Sequence, residues 1–316
     1  MLQFLIFAGG LVLLIYGASL LVDSAAAFAR SLNIPNIVIG LTIVAFGTSA
    51  PELVVNIFAA LQNSSEIAIG NVTGSNLFNI MVILGISAIA YPLSVRSNTT
   101  WVEVPLCLLA ALVLLVMAND VFLEQAPVSF IGRSEGIILL LFFLIFLAYN
   151  FQLAKKGDLS EVIDVKSMSR TKSVVLIIAG LLLLVAGGRL IVNAAITIAL
   201  NFGLSERIIA LTIISAGTSL PELATSVVAA FKKNTDIAIG NIVGSNIFNI
   251  FLVLGATAVI NPVQILSGSN TDLLLNLLVS LLLFIFIFIG KGRRIERTEG
   301  IIFLLMYGGY LFYLLR

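Results

Sequence analysis

Two glutamates, Glu52 and Glu222, lie deep inside long apolar stretches of the sequence, and each directly follows a proline. An ionised carboxylate in the middle of a bilayer costs about 2.5–3.5 kcal/mol on insertion scales, so it needs a compensating charge. The apolar stretches contain no lysine, and Arg189 is the one arginine embedded in them. A bound cation or a proton is therefore the cheapest partner for the two acids. A pair of neutral, hydrogen-bonded structural acids is the alternative.

Each glutamate is accompanied by a break in its helix and by hydroxyl groups. Pro51 and Pro221 have no N–H, so the carbonyls near Gly47 and Gly217 lose their helical partners. Freed carbonyls inside a membrane must face protein, water or an ion. The hydroxyl groups beside the breaks belong to Thr48, Ser49, Thr218 and Ser219. Oxygen donors without sulfur or imidazole favour Ca2+ and Na+ over Zn2+ or Cu+.

The next apolar stretch of each half offers a second polar face. Ser75 and Asn79, like Ser245 and Asn249, are four residues apart and so project from one side of a helix. A single serine or threonine in a membrane helix more often bonds to its own backbone, but here the whole set occurs twice. Four more amides are expected to join helices by hydrogen bonds rather than to bind an ion: Asn71, Asn76, Asn241 and Asn246.

The polar set occurs twice because the sequence contains an internal repeat. Residues 38–85 align without a gap with residues 208–255, and about half of the aligned positions are identical. IGLTIVAFGTSAPEL at 39–53 returns as IALTIISAGTSLPEL at 209–223. Polar residues inside membrane spans are among the best-matched positions, whereas a duplication kept only for packing would match best at apolar ones. The repeat therefore indicates a function shared by both halves.

The composition indicates a membrane protein, since 60% of the 316 residues are hydrophobic and 10% are charged. A helical span needs about 20 apolar residues. Ten stretches qualify: 2–23, 36–61, 67–91, 102–119, 134–153, 173–200, 207–231, 237–260, 272–290 and 299–315. We predict an all-α integral membrane protein whose ten transmembrane helices form two inverted five-helix repeats, because an odd number of spans per half turns the second half upside down.

The predicted halves are residues 1–153 and 173–316, joined by a solvated linker at 154–172. Basic residues fall mostly on one face in this scheme. One face carries Arg30, Arg96, Lys155, Lys156, Lys166, Arg170, Lys172, Lys232, Lys233, Lys291, Arg293, Arg294 and Arg297; the other carries Arg133, Arg207 and Arg316. The positive-inside rule then predicts a multi-pass protein of the cell (inner or plasma) membrane with both termini outside and the linker in the cytoplasm.

Several function classes are disfavoured by what the sequence lacks. It contains no histidine, so serine–histidine and histidine–metal sites are unavailable to a membrane enzyme, and no aspartate lies in the middle of a span to form an aspartyl pair. The single Cys107 cannot form an internal disulfide. A net charge of +1 gives no reason to expect nucleic acid as a partner. No cofactor is expected, and Asp23, Glu103 and Asp120 are interpreted as interfacial.

At these residues the chain resembles the Ca2+/cation antiporter family, whose two α-repeats carry Gly-Thr-Ser-x-Pro-Glu followed by Gly-Ser-Asn-x-x-(Asp/Asn). Both repeats match, at 47–52 with 74–79 and at 217–222 with 244–249. The first motif is similar to that of the Na+/Ca2+ exchanger branch. The resemblance implies an antiporter that exchanges Ca2+ for Na+ by alternating access. An H+- or K+-dependent Ca2+ antiporter on the same scaffold, a passive channel and a membrane enzyme are the alternatives.

The resemblance also implies a role for each motif position. Glu52 and Glu222 would bridge Ca2+, and Thr48 and Thr218 would offer backbone oxygens. Flanking Na+ sites would be completed by Ser49, Ser75, Ser219 and Ser245 and by the carbonyls of Ala45 and Ser215, with Asn79 and Asn249 at the middle. Better-studied exchangers have an acid at one or both of the last two positions, whereas this chain has an amide at each. Whether the chain is a monomer or a homodimer stays open.

Overall fold

The fold is a bundle of helices, and the computed structural model describes residues 2–156, 168–201, 215–265, 268–289 and 292–314. In chain order the helices are α1 (Leu2–Leu32), α2 (Asn36–Thr48), α3 (Ala50–Leu61), α4 (Ser65–Ala90), α5 (Thr99–Met117), α6 (Asp120–Leu123), α7 (Arg133–Lys156), α8 (Arg170–Asn201), α9 (Ser215–Gly217), α10 (Leu220–Phe231), α11 (Thr235–Ile260), α12 (Ser269–Phe286) and α13 (Arg297–Leu314). Wider π-helical turns occur within α2, α4, α5 and α11.

Seven of the described helices are long and apolar enough to cross a membrane, and an eighth span results if the bent pair α2 and α3 is counted as one. The chain is therefore a helical membrane protein. The predicted span 207–231 lies partly outside the described residues, and its described end is α10, which has 12 residues. The predicted last span corresponds to α13, which has 18 residues and is not one of the seven.

The first helix is longer than the predicted span at 2–23. Helix α1 continues without a break to Leu32. Its last turns are rich in alanine, and Ala25, Ala26 and Ala29 are buried. Alanine has the highest helix propensity of all residues, so the helix extends past Asp23 where the hydrophobic run has already ended.

The interior of the bundle is formed by the two helices that follow the glutamate-bearing segments. In α4 and α11, 83% and 94% of the most apolar window is buried, against 22–39% in the other candidate spans. Membrane helices surrounded by other helices need small and polar residues on every face rather than one apolar stripe. This need agrees with the low mean hydropathy of α4 and α11, 1.7 and 1.9, against 2.3–2.6 in α1, α5, α7 and α8.

Helices α1 and α8 cross at glycines. A Cβ atom on Gly10 would lie 3.0 Å from the carbonyl oxygen of Gly187, and one on Gly17 would lie 2.9 Å from the carbonyl oxygen of Gly180. Only residues without a side chain allow two backbones to approach this closely. The contact is reciprocal, because Gly10 corresponds to Gly180 in the repeat and Gly17 to Gly187.

Short strands join loops that are far apart in the sequence. Leu93–Ser94 (β1) pairs antiparallel with Arg294–Ile295 (β4), and Ser129–Ile131 (β2) pairs antiparallel with Val263–Ile265 (β3). Each pair links a loop of one half to a loop of the other. The ends of the bundle are therefore held together by backbone hydrogen bonds as well as by helix packing.

Ion pairs also connect the halves. Arg96, in the loop after α4, forms a salt bridge of 2.6 Å with Asp236, which is buried at the start of α11. Lys232, directly after α10, lies 2.6 Å from the carboxylate of Asp23 and donates to the hydroxyl of Ser19 over 2.7 Å. Arg96, Asp23 and Ser19 of the first half are thus bonded to residues at the end of α10 and the start of α11.

Glu103, which was interpreted as interfacial, is buried within the protein. Its side chain is buried, and the hydroxyl of Tyr149 donates to its carboxylate over 2.7 Å. The cause is that α5 begins at Thr99, ahead of the predicted stretch, so Glu103 lies a full turn inside the helix. The second half has a similar contact, in which the hydroxyl of Tyr310 donates to Asp272 over 3.0 Å.

Candidate functional site

The site begins at two matching breaks in the helices. Helix α2 ends at Thr48 and α3 begins at Ala50, with a bend of 46° between them. Ser49 sits at the break with φ −84° and ψ 4°, and Ser219 in the second half has nearly the same conformation, φ −88° and ψ 8°. A proline follows in the first turn of the new helix in both halves, where its missing N–H costs no helical hydrogen bond.

The two breaks bring the two glutamates together. Glu52 and Glu222 each lie in the first turn of a helix, and each is 1% exposed. The hydroxyl of Ser49 donates to Glu222 Oε1 over 2.9 Å, and the hydroxyl of Ser219 donates to Glu52 Oε1 over 3.1 Å. Each acid is therefore bound by the serine of the other half. The positive end of each helix also favours the negative charge of its glutamate.

The two threonines lie beside the acids of the opposite halves. Thr218 is next to the carboxylate of Glu52, and Thr48 is next to the carboxylate of Glu222. The hydroxyl of Thr48 also donates to the side-chain oxygen of Asn241 over 3.0 Å. Both threonines thus belong to the same cluster as the acids.

Ala45 and Ser215 are the two residues whose carbonyl oxygens were predicted to bind an ion. The carbonyl oxygen of Ala45 accepts the N–H of Ser49 over 2.9 Å and lies 3.3 Å from the hydroxyl oxygen of Thr48. This carbonyl therefore already has a helical partner. Ser215 is the first residue of α9, directly after a stretch outside the described residues, and its side chain is also outside them.

The second polar face of each half meets the first. Ser245 Oγ lies 2.9 Å from Ser49 Oγ, which links α11 to the hydrogen bond between Ser49 and Glu222. Ser75, Asn79 and Asn249 are each 1% exposed. The segment of α4 that begins at Asn79 packs on α10, and the matching segment of α11 packs on α3. Contacts with the two acids, direct or through Ser49, are thus made by Thr48, Ser49, Thr218, Ser219 and Ser245.

The four asparagines that were expected to join helices do so. Asn76 donates to the carbonyl oxygen of Asn246 over 3.3 Å, so α4 and α11 bond to each other. Asn71 donates to the carbonyl oxygen of Glu52 over 3.3 Å, and Asn241 donates to that of Glu222 over 3.3 Å. Asn71 and Asn241 therefore hold the backbone at the two acids. The prediction that the four amides join helices is confirmed.

Sequence reasoning missed a second layer of polar residues. Asn56 accepts a hydrogen bond of 2.6 Å from Asn71, and Ser226 accepts one of 2.9 Å from Asn241. Asn56 and Ser226 occupy the same position of the repeat, one helical turn after each glutamate. The signal was present, because two polar residues at one repeat position inside a membrane span need a buried partner.

Several oxygens in the site have no hydrogen-bond partner among the described residues. They are Glu52 Oε2, Glu222 Oε2, Ser75 Oγ, Thr218 Oγ1, Asn79 Oδ1 and Asn249 Oδ1, all buried. A buried oxygen without a partner is costly, and a carboxylate oxygen more so. Carboxylate, hydroxyl and amide oxygens are the donors that hard cations take. The donor set therefore suits a desolvated Ca2+ or Na+ ion.

Comparison with known proteins agrees with this chemistry. The chain is 39% identical over 315 residues to the putative antiporter CaxA of Alkalimonas amylolytica, with 96% of each chain covered. It is 31% identical over 342 residues to the sodium/calcium exchanger MaX1 of Methanosarcina acetivorans, covering 98% of this chain and 97% of the relative.

A solved structure and a family model also match most of the chain. The structure of the sodium-calcium exchanger NCX_Mj soaked with 2.5 mM Na+ and 0.1 mM Ca2+ matches with a TM-score of 0.83 and 32% identity, covering 97% of this chain and 96% of that one. The family model described as sodium/calcium exchanger protein matches residues 2–152 and 172–316. The chain therefore belongs to the sodium/calcium exchanger protein family, a family of membrane transporters.

Proposed function

We propose that this chain exchanges Ca2+ for Na+ across the cell membrane by alternating access, and that Glu52 and Glu222 bind both ions in turn. The observation that carries the proposal is the pair of buried carboxylates, each with one oxygen bonded to the serine of the other half and one oxygen without a partner among the described residues. Two such acids are tolerable in a dry interior only when positive charge neutralises them.

The same residues explain why exchange would be coupled. Ca2+ and Na+ need oxygen donors of the same kind, so they compete for the two acids. Thr48, Thr218, Ser49, Ser219, Ser75, Ser245, Asn79, Asn249, Ala45 and Ser215 are proposed to supply the other hydroxyl, amide and carbonyl oxygens. The site changes orientation only when the acids are neutralised, because bare carboxylates cannot cross the dry barrier between the two sides. A transporter with no bound ion therefore keeps its orientation, and the Ca2+ flux is coupled to the Na+ flux.

We also propose that the membrane arrangement has ten spans in two inverted halves, 1–153 and 173–316, with the linker 154–172 in the cytoplasm and both termini outside. Loops that touch each other support this arrangement. In the ten-span scheme, the loops that contain β1 and β4 fall on one side, and those that contain β2 and β3 fall on the other. The reciprocal glycine crossing of α1 and α8 is what a two-fold relation between the halves produces.

Sidedness can be tested by labelling introduced cysteines with a membrane-impermeant maleimide. Lys155 and Glu66 are both exposed, and the scheme places Lys155 inside and Glu66 outside. We expect Lys155→Cys in intact cells to stay unlabelled until the membrane is opened, whereas Glu66→Cys should be labelled at once. The native Cys107 is buried and should not react with the maleimide. The reverse pattern would contradict the orientation, and labelling of both in intact cells would contradict the ten-span count.

Transport is tested with purified protein in liposomes and 45Ca2+ outside. We expect an outward Na+ gradient to drive saturable Ca2+ accumulation, and equal Na+ on both sides to abolish it. An outward K+ gradient or an outward proton gradient, each imposed without Na+, should drive none. Uptake that follows the proton gradient alone would favour an H+-dependent antiporter, and uptake that needs no counter-ion would indicate a channel. Either result would contradict the proposal.

A further inference from the structure

Glu103 is a buried acid that the proposed transport mechanism does not use. Its side chain is 0% exposed. The hydroxyl of Tyr149 donates to its Oε1 over 2.7 Å, whereas Oε2 is buried and has no hydrogen-bond partner among the described residues. The hydroxyl of Thr99, one helical turn earlier in α5, lies beside this carboxyl group, and its oxygen is also buried without a partner there. Two neighbouring oxygens are therefore left without a hydrogen bond.

The charged groups close to Glu103 do not neutralise an ionised carboxylate. In the described part of the chain, no salt bridge joins Glu103 to a basic side chain. The carboxylate of Asp236, at the start of α11, is near enough to act on Glu103 electrostatically, and it is itself negative. Arg96, in the loop before α5, binds that aspartate through two nitrogens at 2.9 and 2.6 Å. The guanidinium is therefore already shared with another acid.

The other elements around the start of α5 offer no closer titratable partner of positive charge among the described residues. Cys107, one turn after Glu103, is a buried thiol. The aromatic end of α12 packs on the start of α5, so Asp272, the one titratable residue of α12, lies at the far end of that helix. In α7 the amine of Lys155 lies over the ring of Phe151, 4.5 Å from its centre.

A proton on Oε2 would correct both features of this arrangement. It would make the carboxyl group neutral, which matters because a buried charge without a partner is far more costly than a buried neutral acid. The protonated oxygen could also donate to the free oxygen of Thr99, so that both unpaired oxygens gain a hydrogen bond. The hydrogen bond from Tyr149 to Oε1 is compatible with this state.

We propose that Glu103 is a proton-binding site, separate from Glu52 and Glu222, and that its proton links the stability of this end of the bundle to pH. Loss of the proton would place a second negative charge beside Asp236 and weaken the salt bridge between Asp236 and Arg96, which joins the two halves. The inference goes beyond the proposed exchange and does not depend on which ion drives it.

The proposal is tested by thermal unfolding in detergent across a range of pH, with the wild type beside Glu103→Gln. Glutamine is neutral, can accept from Tyr149 and can donate to Thr99. An unfolded chain has this glutamate ionised at neutral pH, so the folded wild type binds one more proton and loses stability as the pH rises. We expect Glu103→Gln to be at least as stable as the wild type at neutral pH. The difference in midpoint should widen by about 2–4 °C per pH unit until Glu103 ionises, and stay constant above that point.

The matched control is Asp272→Asn. Asp272 also accepts a hydrogen bond from a tyrosine, Tyr310, but it is partly exposed. The difference in midpoint between Asp272→Asn and the wild type should stay constant from neutral pH upward. A Glu103→Gln variant that is less stable than the wild type by an amount independent of pH would show that Glu103 is ionised in the folded protein, and would overturn the proposal.

Infrared difference spectroscopy provides a second readout that does not involve transport. A neutral carboxyl group has a C=O stretching band that a carboxylate lacks, so the wild type at neutral pH should show a band that is missing in Glu103→Gln. If that variant does not fold, Tyr149→Phe decides, because loss of the hydrogen bond to Oε1 should move the band to higher frequency. A spectrum without the band, or a band that Tyr149→Phe leaves in place, would overturn the proposal.

Discussion

Glu52→Gln and Glu222→Gln should each reduce Na+-driven 45Ca2+ uptake to below about 1% of the wild-type rate. Each substitution removes one carboxylate from the proposed cation. Removal of one partner from a buried pair of opposite charges costs about 3–5 kcal/mol, which corresponds to a factor of 100 or more. Glutamine has the shape of glutamate and can still accept the hydrogen bond from the serine of the other half. The substitution therefore removes charge and leaves packing almost unchanged. Initial uptake rates at saturating Na+ gradient provide the measurement.

The control for these variants is Glu66→Gln, since Glu66 is exposed at the start of α4, away from the two acids. It should transport at the wild-type rate. All three variants should elute as a single peak with the wild-type volume in size-exclusion chromatography. If either Glu52→Gln or Glu222→Gln retained substantial uptake, that acid would have no place in the transport mechanism.

Gly10→Leu should prevent stable assembly of the bundle. A Cβ atom at this position would lie 2.9 Å from Ile191 Cγ1, 3.0 Å from the carbonyl oxygen of Gly187 and 3.1 Å from the backbone nitrogen of Ile191. Two of these three atoms belong to a helix backbone and cannot move aside as a side chain can. Overpacking of a closed interior typically costs 1–3 kcal/mol, and here we expect at least about 3 kcal/mol. Thermal unfolding in detergent, followed by loss of the monodisperse peak, measures the effect.

The preceding residue offers a matched control. Gly9 is exposed, and a Cβ atom built on it meets nothing within 4 Å in the described part of the protein. Gly9→Leu adds the same side chain one position away on the same helix and should leave the unfolding midpoint within a few degrees of wild type. Equal destabilisation by both substitutions would show that α1 and α8 do not pack at Gly10 as described.

Much of the site could be predicted from the sequence because the chain repeats its polar residues. A glutamate after a proline, with hydroxyls on the same helix face, occurs twice inside apolar stretches, and this recurrence separates Glu52 and Glu222 from ordinary interfacial acids. Helix periodicity then relates Ser75 to Asn79 and Ser245 to Asn249. These local rules need no knowledge of how the halves meet, and the glutamates that they single out are buried and lie beside the serines of the opposite halves.

What the sequence could not give is the pairing between the halves. Nothing in the spacing says that Ser49 bonds to Glu222 rather than to Glu52, or that Asn79 bonds to Asn246. Such contacts depend on how two distant segments pack, and many packings satisfy the same pattern. The burial of Glu103 could not be predicted for a related reason, since hydropathy locates the apolar centre of a span but not the turn at which its helix begins.

The residues that form the contact of Lys232 with Asp23 and Ser19 are not repeated at the corresponding positions of the sequence. The repeat places Gln62 at the position of Lys232, and Asn193 and Arg189 at those of Asp23 and Ser19. If the two halves exchange roles as in the proposed alternating access, this contact would form on one side of the membrane only. Partly exposed ion pairs are worth about 0.2–1 kcal/mol. Under the proposed alternating access, a contact that forms in one orientation alone would favour that orientation by up to about five-fold at rest.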